Sequence, residues 1–459
     1  MLLLAATRRS LPLFQRSIKR PSSLVHRAFY RPGDKPLKSD PLRILFCGSD
    51  DFSCHSLKAL HEEHKTNPSL IESLEVLIPT PKPTGRGLKK LNKAPISTLA
   101  EELKLPIHMT DKQGFKTWEM PAHINLIIAV SFGLFIPPRL LSQAKYGGLN
   151  VHPSILPRLH GPAPIQHAIL TGYEETGVTI QTLSPIAFDE GQILKQSARI
   201  SIREKCTFQE LHDALAPMGA SLLVSVLREN LHIDEFLKNH STANAWEDGV
   251  NPADYHAPKI KVKDREVFSD KIFEEIFQKP EIGDKIETKF RALGPLWAEI
   301  TLPDSGKGSK KVRLILDDIF SFVLKSVPHS VSTRPPGEVE DKKVLTKDGF
   351  SQMPTEWWKE VDPNEYWKSY DQCINFMCNP DFDNREVYYV SEDDLVAYKT
   401  KKFRGGILFR FKRDGNRRAC SEDDLILRIG KIKEPGKDFK PAASVAQRLG
   451  IWRREAPEK

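Results

Sequence analysis

From Leu42 to about residue 235, apolar runs of strand length alternate with stretches of helical spacing. Leu42–Gly48 is a nearly continuous apolar run that ends at a glycine turn. Cys54, Leu57 and Leu60 follow three apart, so the pattern predicts a buried strand and then a helix. Residues 74–79 read as a second short strand and residues 95–104 as a helix with proline at its start. Residues 125–130 are apolar almost without interruption, as in a parallel strand covered on both faces. Gly148–His152 reads as a strand end, and residues 178–183 and 193–202 as later strands. Thr207 and Glu210 have the spacing of a capping box. They precede an amphipathic run through Leu211, Leu215, Met218, Leu222 and Val226, with a predicted break at Pro217. This alternation predicts an α/β sheet of Rossmann type. Such sheets bind ligands beyond the carboxyl ends of their strands, where Asn150 and His152 lie. The turn Gly48-Ser49-Asp50 lacks the glycine spacing of a dinucleotide fingerprint, so no dinucleotide is expected.

Residues 238–258 are polar and irregular and read as a linker. Beyond them the period changes. Residues 286–290, 297–302, 312–319, 387–390, 406–411 and 425–432 are short strand candidates without regular helices, which predicts a small β-barrel of OB-like type. Residues 325–385 are rich in charge, proline and tryptophan and read as an insertion in that barrel, with Trp357-Trp358 as packing residues.

Charge changes the picture at one end. The chain has 459 residues, with 68 Lys and Arg against 60 Asp and Glu, a formal net charge of +8. Arg8, Arg9, Arg16, Lys19, Arg20, Arg27 and Arg31 precede the first acid, Asp34. Set them aside and acids and bases nearly balance, so only local clusters bear on nucleic-acid binding. A basic, acid-free segment with Ser and short apolar stretches has the composition of a mitochondrial presequence, expected over residues 1–38. A matrix location follows as an expectation. No run reaches the ~18–20 apolar residues that span a bilayer, so no membrane segment is expected. Cys47, Cys54, Cys206, Cys373, Cys378 and Cys420 are scattered, with no metal-finger spacing, and no metal is expected.

The candidate chemistry is Asn150 and His152, two apart on an extended chain, with Asp189 further along in Phe188-Asp189-Glu190-Gly191. An amide can donate to a developing oxyanion, an imidazole can move a proton, and a carboxylate can hold the imidazole charged. That set suits transfer of an acyl or formyl group to an amine. Asn-x-His alone equally describes a turn cap and a core histidine.

The neighbouring residues carry a resemblance. Residues 42–52, Gly85-Arg86-Gly87 with Lys89 and Lys90, Ser131-Phe132-Gly133 with Ile136-Pro137, residues 148–161, Ala163-Pro164-Ile165-Gln166 and residues 175–180 occur in one order. In them residues 42–235 resemble the methionyl-tRNA formyltransferases, within the 10-formyltetrahydrofolate-dependent formyltransferase family; the resemblance weakens through residues 255–260 and 297–300. It implies a Rossmann-like formyltransferase domain over residues 39–237, a linker over 238–258, and a C-terminal β-barrel-like tRNA-binding domain over 259–459. It implies Asn150, His152 and Asp189 as catalytic residues and Ser154, Ile155, Leu156 and Pro157 as the segment contacting the folate. Arg86, Lys89 and Lys90 would grip the acceptor end of the tRNA, although the residues alone also fit a solvated basic loop. Pro153, His160 and Gln192 depart from the family pattern. The implied donor is 10-formyltetrahydrofolate, and the implied acceptor is initiator methionyl-tRNA bound by a monomer. A basic stretch over 399–418, interleaved with Phe403, Phe409 and Phe411, is either an RNA surface or a solvated hairpin. The competing readings are a formyltransferase for a small amine and a non-catalytic RNA-binding protein.

Overall fold

The computed structural model describes residues 38–81, 83–84, 90–91, 93–111, 113–233, 255–268, 280–302, 310–323, 387–390, 406–411 and 425–449. The expected presequence therefore lies almost wholly outside the described residues. So do Arg86, Lys89, most of the linker, the insertion and most of the 399–418 stretch.

The first half runs β1 (Leu42–Gly48), α1 (Asp51–Thr66), β2 (Ile71–Ile78), β3 (Pro83–Thr84), β4 (Lys90–Leu91), α2 (Pro95–Glu102), β5 (Ile107–Met109), β6 (Leu126–Val130) and α3 (Pro138–Leu141). It continues with β7 (Gly148–His152), α4 (Pro164–Leu170), β8 (Glu175–Thr176), β9 (Thr179–Thr182), β10 (Ile193–Gln196), β11 (Ile200–Ser201) and α5 (Phe208–Arg228). Seven strands form one sheet in the order β10-β9-β7-β6-β1-β2-β5. The five strands from β7 to β5 are parallel, and β9 and β10 add antiparallel pairs at β7's edge. Alternate residues face opposite ways on a strand, and the two cores follow that rule. Ile44, Phe46, Leu126, Ile128 and Val130 join the core under α1 and α5. Leu45, Cys47, Ile127 and Ala129 join a second core with Phe115, Trp118, Phe132 and Ile136. Burial on both sides explains why these strands read as unbroken apolar runs.

Helix starts follow from local chemistry. The Asp50 side chain accepts from the Ser53 N–H at 3.0 Å and caps α1. Thr207 and Glu210 close a reciprocal capping box on α5, at 3.3 and 2.9 Å. The expected break at Pro217 does not occur: α5 continues through it. Residues 193–202 are not one strand but two, β10 and β11, which pair in different sheets.

The second half holds β12 (Glu266–Phe268), α6 (Pro280–Leu293), β13 (Leu296–Leu302), β14 (Lys310–Val323), β15 (Val387–Val390), β16 (Gly406–Phe411), β17 (Leu425–Lys433), β18 (Phe439–Pro441) and α7 (Ala442–Leu449). The second seven-stranded sheet runs β12-β13-β14-β17-β16-β15, with β18 pairing β17, and every pairing but β12 with β13 is antiparallel. A C-terminal β domain is thus present, while no pairing among the described residues closes it into a barrel. The expected strand 286–290 is instead part of α6. Ile282, Ile286, Phe290 and Leu293 recur at helical spacing and pack into the core, and Glu287 between them is itself buried against Lys205 and Ser321. Among the described residues no helix is long and apolar enough to cross a membrane.

Candidate active site

Strand β7 ends at His152, and the antiparallel strand β9 pairs Asn150 with Gln181 and His152 with Thr179. Residues directly opposite in such a pair share a face, so Asn150, His152 and Gln181 converge on one side of the sheet end. The chain leaving β9 returns with Asp189 in a left-handed conformation, φ 56°. Gly191 makes this return possible: a Cβ there would sit 1.7 Å from the Thr182 carbonyl oxygen. An aspartate tolerates left-handed backbone better than most residues.

The Asp189 carboxylate gathers the site. Its Oδ1 accepts from Asn150 Nδ2 at 3.1 Å and Gln181 Nε2 at 3.0 Å, and lies 3.3 Å from His152 Nδ1. Its Oδ2 accepts from the Gly161 N–H at 2.8 Å. His152 Nε2 is 3.0 Å from the Leu159 carbonyl. His152 is buried, with 4% of its surface exposed. Burial alone opposes its charge, but the Asp189 carboxylate beside it outweighs burial and raises the imidazole pKa. Burial likewise opposes the Asp189 charge, and the His152 imidazolium holds its pKa below the usual carboxylate value. Each charge thus favours the other.

A cavity of about 650 Å³ opens over this group, a size typical of small-molecule sites. Asn150, His152 and Asp189 line it, with Phe132, Ile136 and Phe188 supplying an apolar wall. Phe188 meets Phe135 edge to face, with centroids 5.3 Å apart. The structure thus brings the three expected catalytic residues together. Of the four expected folate contacts, none is on the cavity wall. Ser154 is buried and donates to the Arg158 carbonyl at 2.7 Å, and Leu156 is buried with its N–H 3.1 Å from Thr179 Oγ1. Ile155 and Pro157 lie in the same turn, which ends in a cis Leu156–Pro157 bond. The segment lies behind the site and carries the chain from His152 to Leu159 and Gly161. Lys90 lies in β4, paired with Thr84 of β3; Arg86 and Lys89 lie outside the described residues.

Several site residues escaped sequence reasoning. Gln181 is 1% exposed, and its Oε1 has no hydrogen-bond partner among the described residues. Its place in the β9 alternation was the available signal. His256, near the end of the expected linker, and Lys259, just beyond it, also line the cavity. Ala257 N–H donates to the His160 carbonyl at 2.7 Å, and Ala163 N–H to the Ala257 carbonyl at 3.2 Å. Gly161, at φ 112°, permits this approach, since a Cβ there would lie 2.8 Å from the Ala257 oxygen. No local pattern announces such a long-range contact.

Residues 42–227 match the family model described as formyl transferase. Over this segment the chain is similar to the formyl transferases. Similar proteins include the mitochondrial methionyl-tRNA formyltransferase of Bos taurus, 36% identical over 247 residues, covering 52% of this chain and 57% of that protein. The methionyl-tRNA formyltransferase of Ehrlichia chaffeensis is 38% identical over 205 residues, 44% of this chain and 65% of that protein. The mitochondrial enzyme of Saccharomyces cerevisiae is 35% identical over 252 residues, 47% of this chain and 63% of that protein. The chain thus spans less than two thirds of the length of each of these relatives. Asn150, His152 and Asp189 all fall inside the formyl transferase segment, and His256 and Lys259 fall outside it.

Proposed function

We propose that this protein transfers a formyl group from 10-formyltetrahydrofolate to the α-amine of initiator methionyl-tRNA, in the mitochondrial matrix, to prime translation. The observation that carries this reading is the convergence of Asn150, His152 and Gln181 on one carboxylate, Asp189, under a cavity inside the formyl transferase segment. The relatives' names supply the acceptor and the compartment. An apolar wall of Phe132, Ile136 and Phe188 fits a flat heteroaromatic ring, and the unpartnered Gln181 carbonyl fits a ligand N–H. Residues 154–157 then act by shaping the loop beneath the ligand.

In this reading the amine attacks the formyl carbon and the carbonyl electrons move onto oxygen. The second Asn150 amide hydrogen and the His152 charge stabilise that oxyanion; one such donor is worth about 10²–10³ in rate. Collapse breaks the bond to the folate nitrogen. Lys90, with Arg86 and Lys89, holds the tRNA acceptor end, and the C-terminal β domain, completed as an OB-like barrel, binds the tRNA body of a monomeric complex. The full chain, supplied with formyl-labelled 10-formyltetrahydrofolate, is expected to label methionyl-tRNA, and to lose that activity by orders of magnitude as Asn150→Ala or His152→Ala. Label passing to small amines and not to charged tRNA would overturn the acceptor.

A further inference from the structure

Three donors meet at one oxygen, Asp189 Oδ1. Asn150 Nδ2 stands at 3.1 Å, Gln181 Nε2 at 3.0 Å and His152 Nδ1 at 3.3 Å. A carboxylate oxygen has two lone pairs, so two of the three fill it, and the imidazole is the one left at the longer distance. On the other side Oδ2 accepts from the Gly161 N–H at 2.8 Å, which fixes the plane of the carboxylate.

Strand β9 sets Gln181 directly opposite Asn150 and Thr179 opposite His152, so both side chains of β9 share the face of the site. They are satisfied differently. Thr179 Oγ1 donates to the Ser154 carbonyl at 2.7 Å and accepts from the Leu156 N–H at 3.1 Å and Gln196 Nε2 at 3.0 Å. Gln181 is 1% exposed and commits Nε2 to Asp189, while its Oε1 has no partner among the described residues. A carboxylate only accepts, so Asp189 dictates which end of the amide turns toward it. A buried acceptor left unmet opposes folding, and an apolar side chain of similar length would avoid that penalty. The amide therefore answers to Asp189 and not to packing.

We infer that Gln181 is a positioning residue of the formyl-transfer site proposed above: by filling a lone pair of the oxygen that faces His152, it keeps Asp189 from closing on the imidazole. Asn150 fills the other lone pair from β7, but in that reading it also touches the reacting carbonyl, whereas Gln181 Nε2 acts through Asp189.

The consequence is electrostatic. Without the Gln181 donor a lone pair is released to His152 Nδ1 and the contact tightens. A charge-assisted hydrogen bond to the carboxylate then favours the imidazolium more strongly. Gln181 thus holds down the pH at which His152 changes charge. Asp189 already raises the His152 pKa against burial, so loss of Gln181 adds to an existing effect. The other titratable groups around the pair are His160, on the loop after β7, and His256, whose ring centroid is 4.8 Å from that of His160. Asp50, His212 and Lys259 stand elsewhere on the cavity wall.

The test is Gln181→Met in the full chain, which keeps the length of the side chain and removes both ends of the amide, with Gln181→Leu as a second variant. NMR titration of the His152 ring should show its charge change moved to higher pH than in the wild type. In assays with methionyl-tRNA and 10-formyltetrahydrofolate, the limb of the kcat profile that follows His152 should move the same way, with KM for the tRNA unchanged. Turnover at the new optimum should stay within about tenfold of wild type, short of the roughly 10²-fold loss that marks a missing acid or base. The thermal midpoint should not fall, since the unmet Oε1 leaves with the amide. An unmoved or acid-shifted His152 titration in a folded variant would overturn the proposal. Unfolding of both variants would also overturn it, because the amide would then hold the fold and not the carboxylate. The titration needs no substrate. A wild-type chain that formylates no amine would therefore remove the formyl-transfer reading, while the coupling of Gln181 to His152 would still be judged by NMR.

Discussion

The Asp189 carboxylate accepts from Asn150, Gln181 and Gly161 and faces His152. Those donors favour its charge although its side chain is only 8% exposed. The linkage to stability has two limbs. The His152 pKa is raised, so its contribution is complete below an unfolded value of about 6.5 and fades as pH rises through the folded value. The Asp189 pKa is lowered, so its contribution is complete above about 3.8 and is lost as pH falls through the folded value. Asp189→Asn tests the coupling. Asparagine also accepts left-handed backbone, so the loop should keep its path. Burial would then be opposed only by the Leu159 carbonyl, and the His152 pKa should fall from its raised value. NMR titration of the His152 ring should show this acid shift, and turnover should drop by about 10² or more. A titration identical to wild type would show that Asp189 is not what charges His152. At this scale the trio was legible because distinctive neighbours surround it. Gln181 and His256 were not, because strand register and a long-range bridge bring them in, and neither leaves a local pattern.

Helices α1 and α5 lie side by side on one face of the first sheet and position the ends of β1 and β7 beneath the cavity. A forked ion pair ties them: Arg228 Nε to Glu63 Oε1 at 3.0 Å and Nη2 to Oε2 at 2.5 Å. The Glu63 side chain is 3% exposed and that of Arg228 62%. The Arg228 hydrogen bond outweighs burial and lowers the Glu63 pKa. Arg228→Ala leaves a buried carboxylate without its main partner and should destabilise the fold, modestly because the guanidinium is solvated. The sign with pH is defined. A lowered carboxylate stabilises above its unfolded value near 4.5 and loses that contribution as pH falls. Urea unfolding should therefore show a larger penalty at pH 7 than at pH 4, and an equal penalty at both would point to lost packing instead. Elements with caps or unbroken apolar runs were legible. The Pro217 break failed because apolar residues on both sides, Leu211, Leu215, Leu223 and Leu227, bury one helix face, which outweighs a proline cost of about 3 kcal/mol. Helix α6 was misread because five residues in isolation do not distinguish the two periods.

At the scale of the whole molecule, the two sheets share one core. The cluster that begins at Leu42 and Ile44 also contains Ile286, Leu296, Leu316, Leu427 and Val445. Polar contacts reinforce that union where α6 meets the start of α5. Lys205 pairs with Glu287, and Ser321 of β14 donates to Glu287 at 2.5 Å. Arg291 donates to the Cys206 carbonyl at 2.7 Å. Glu287 is buried, so it needs these donors. A linker reading over 238–258 leaves two bodies free to unfold separately, whereas a continuous core ties their stabilities. Calorimetry of the full chain should accordingly show the two sheets melting in one transition. Glu287→Ala removes the acceptor shared by Lys205 and Ser321, at a cost of about 1–3 kcal/mol. It should lower the melting temperature of that single transition. If it instead splits the melt in two, the polar contacts, and not the apolar cluster, hold the halves together. Two transitions in the unaltered chain would mean that the shared apolar surface is too weak to couple the domains, and that His256 and Lys259 reach the cavity only as long as the second domain stays docked.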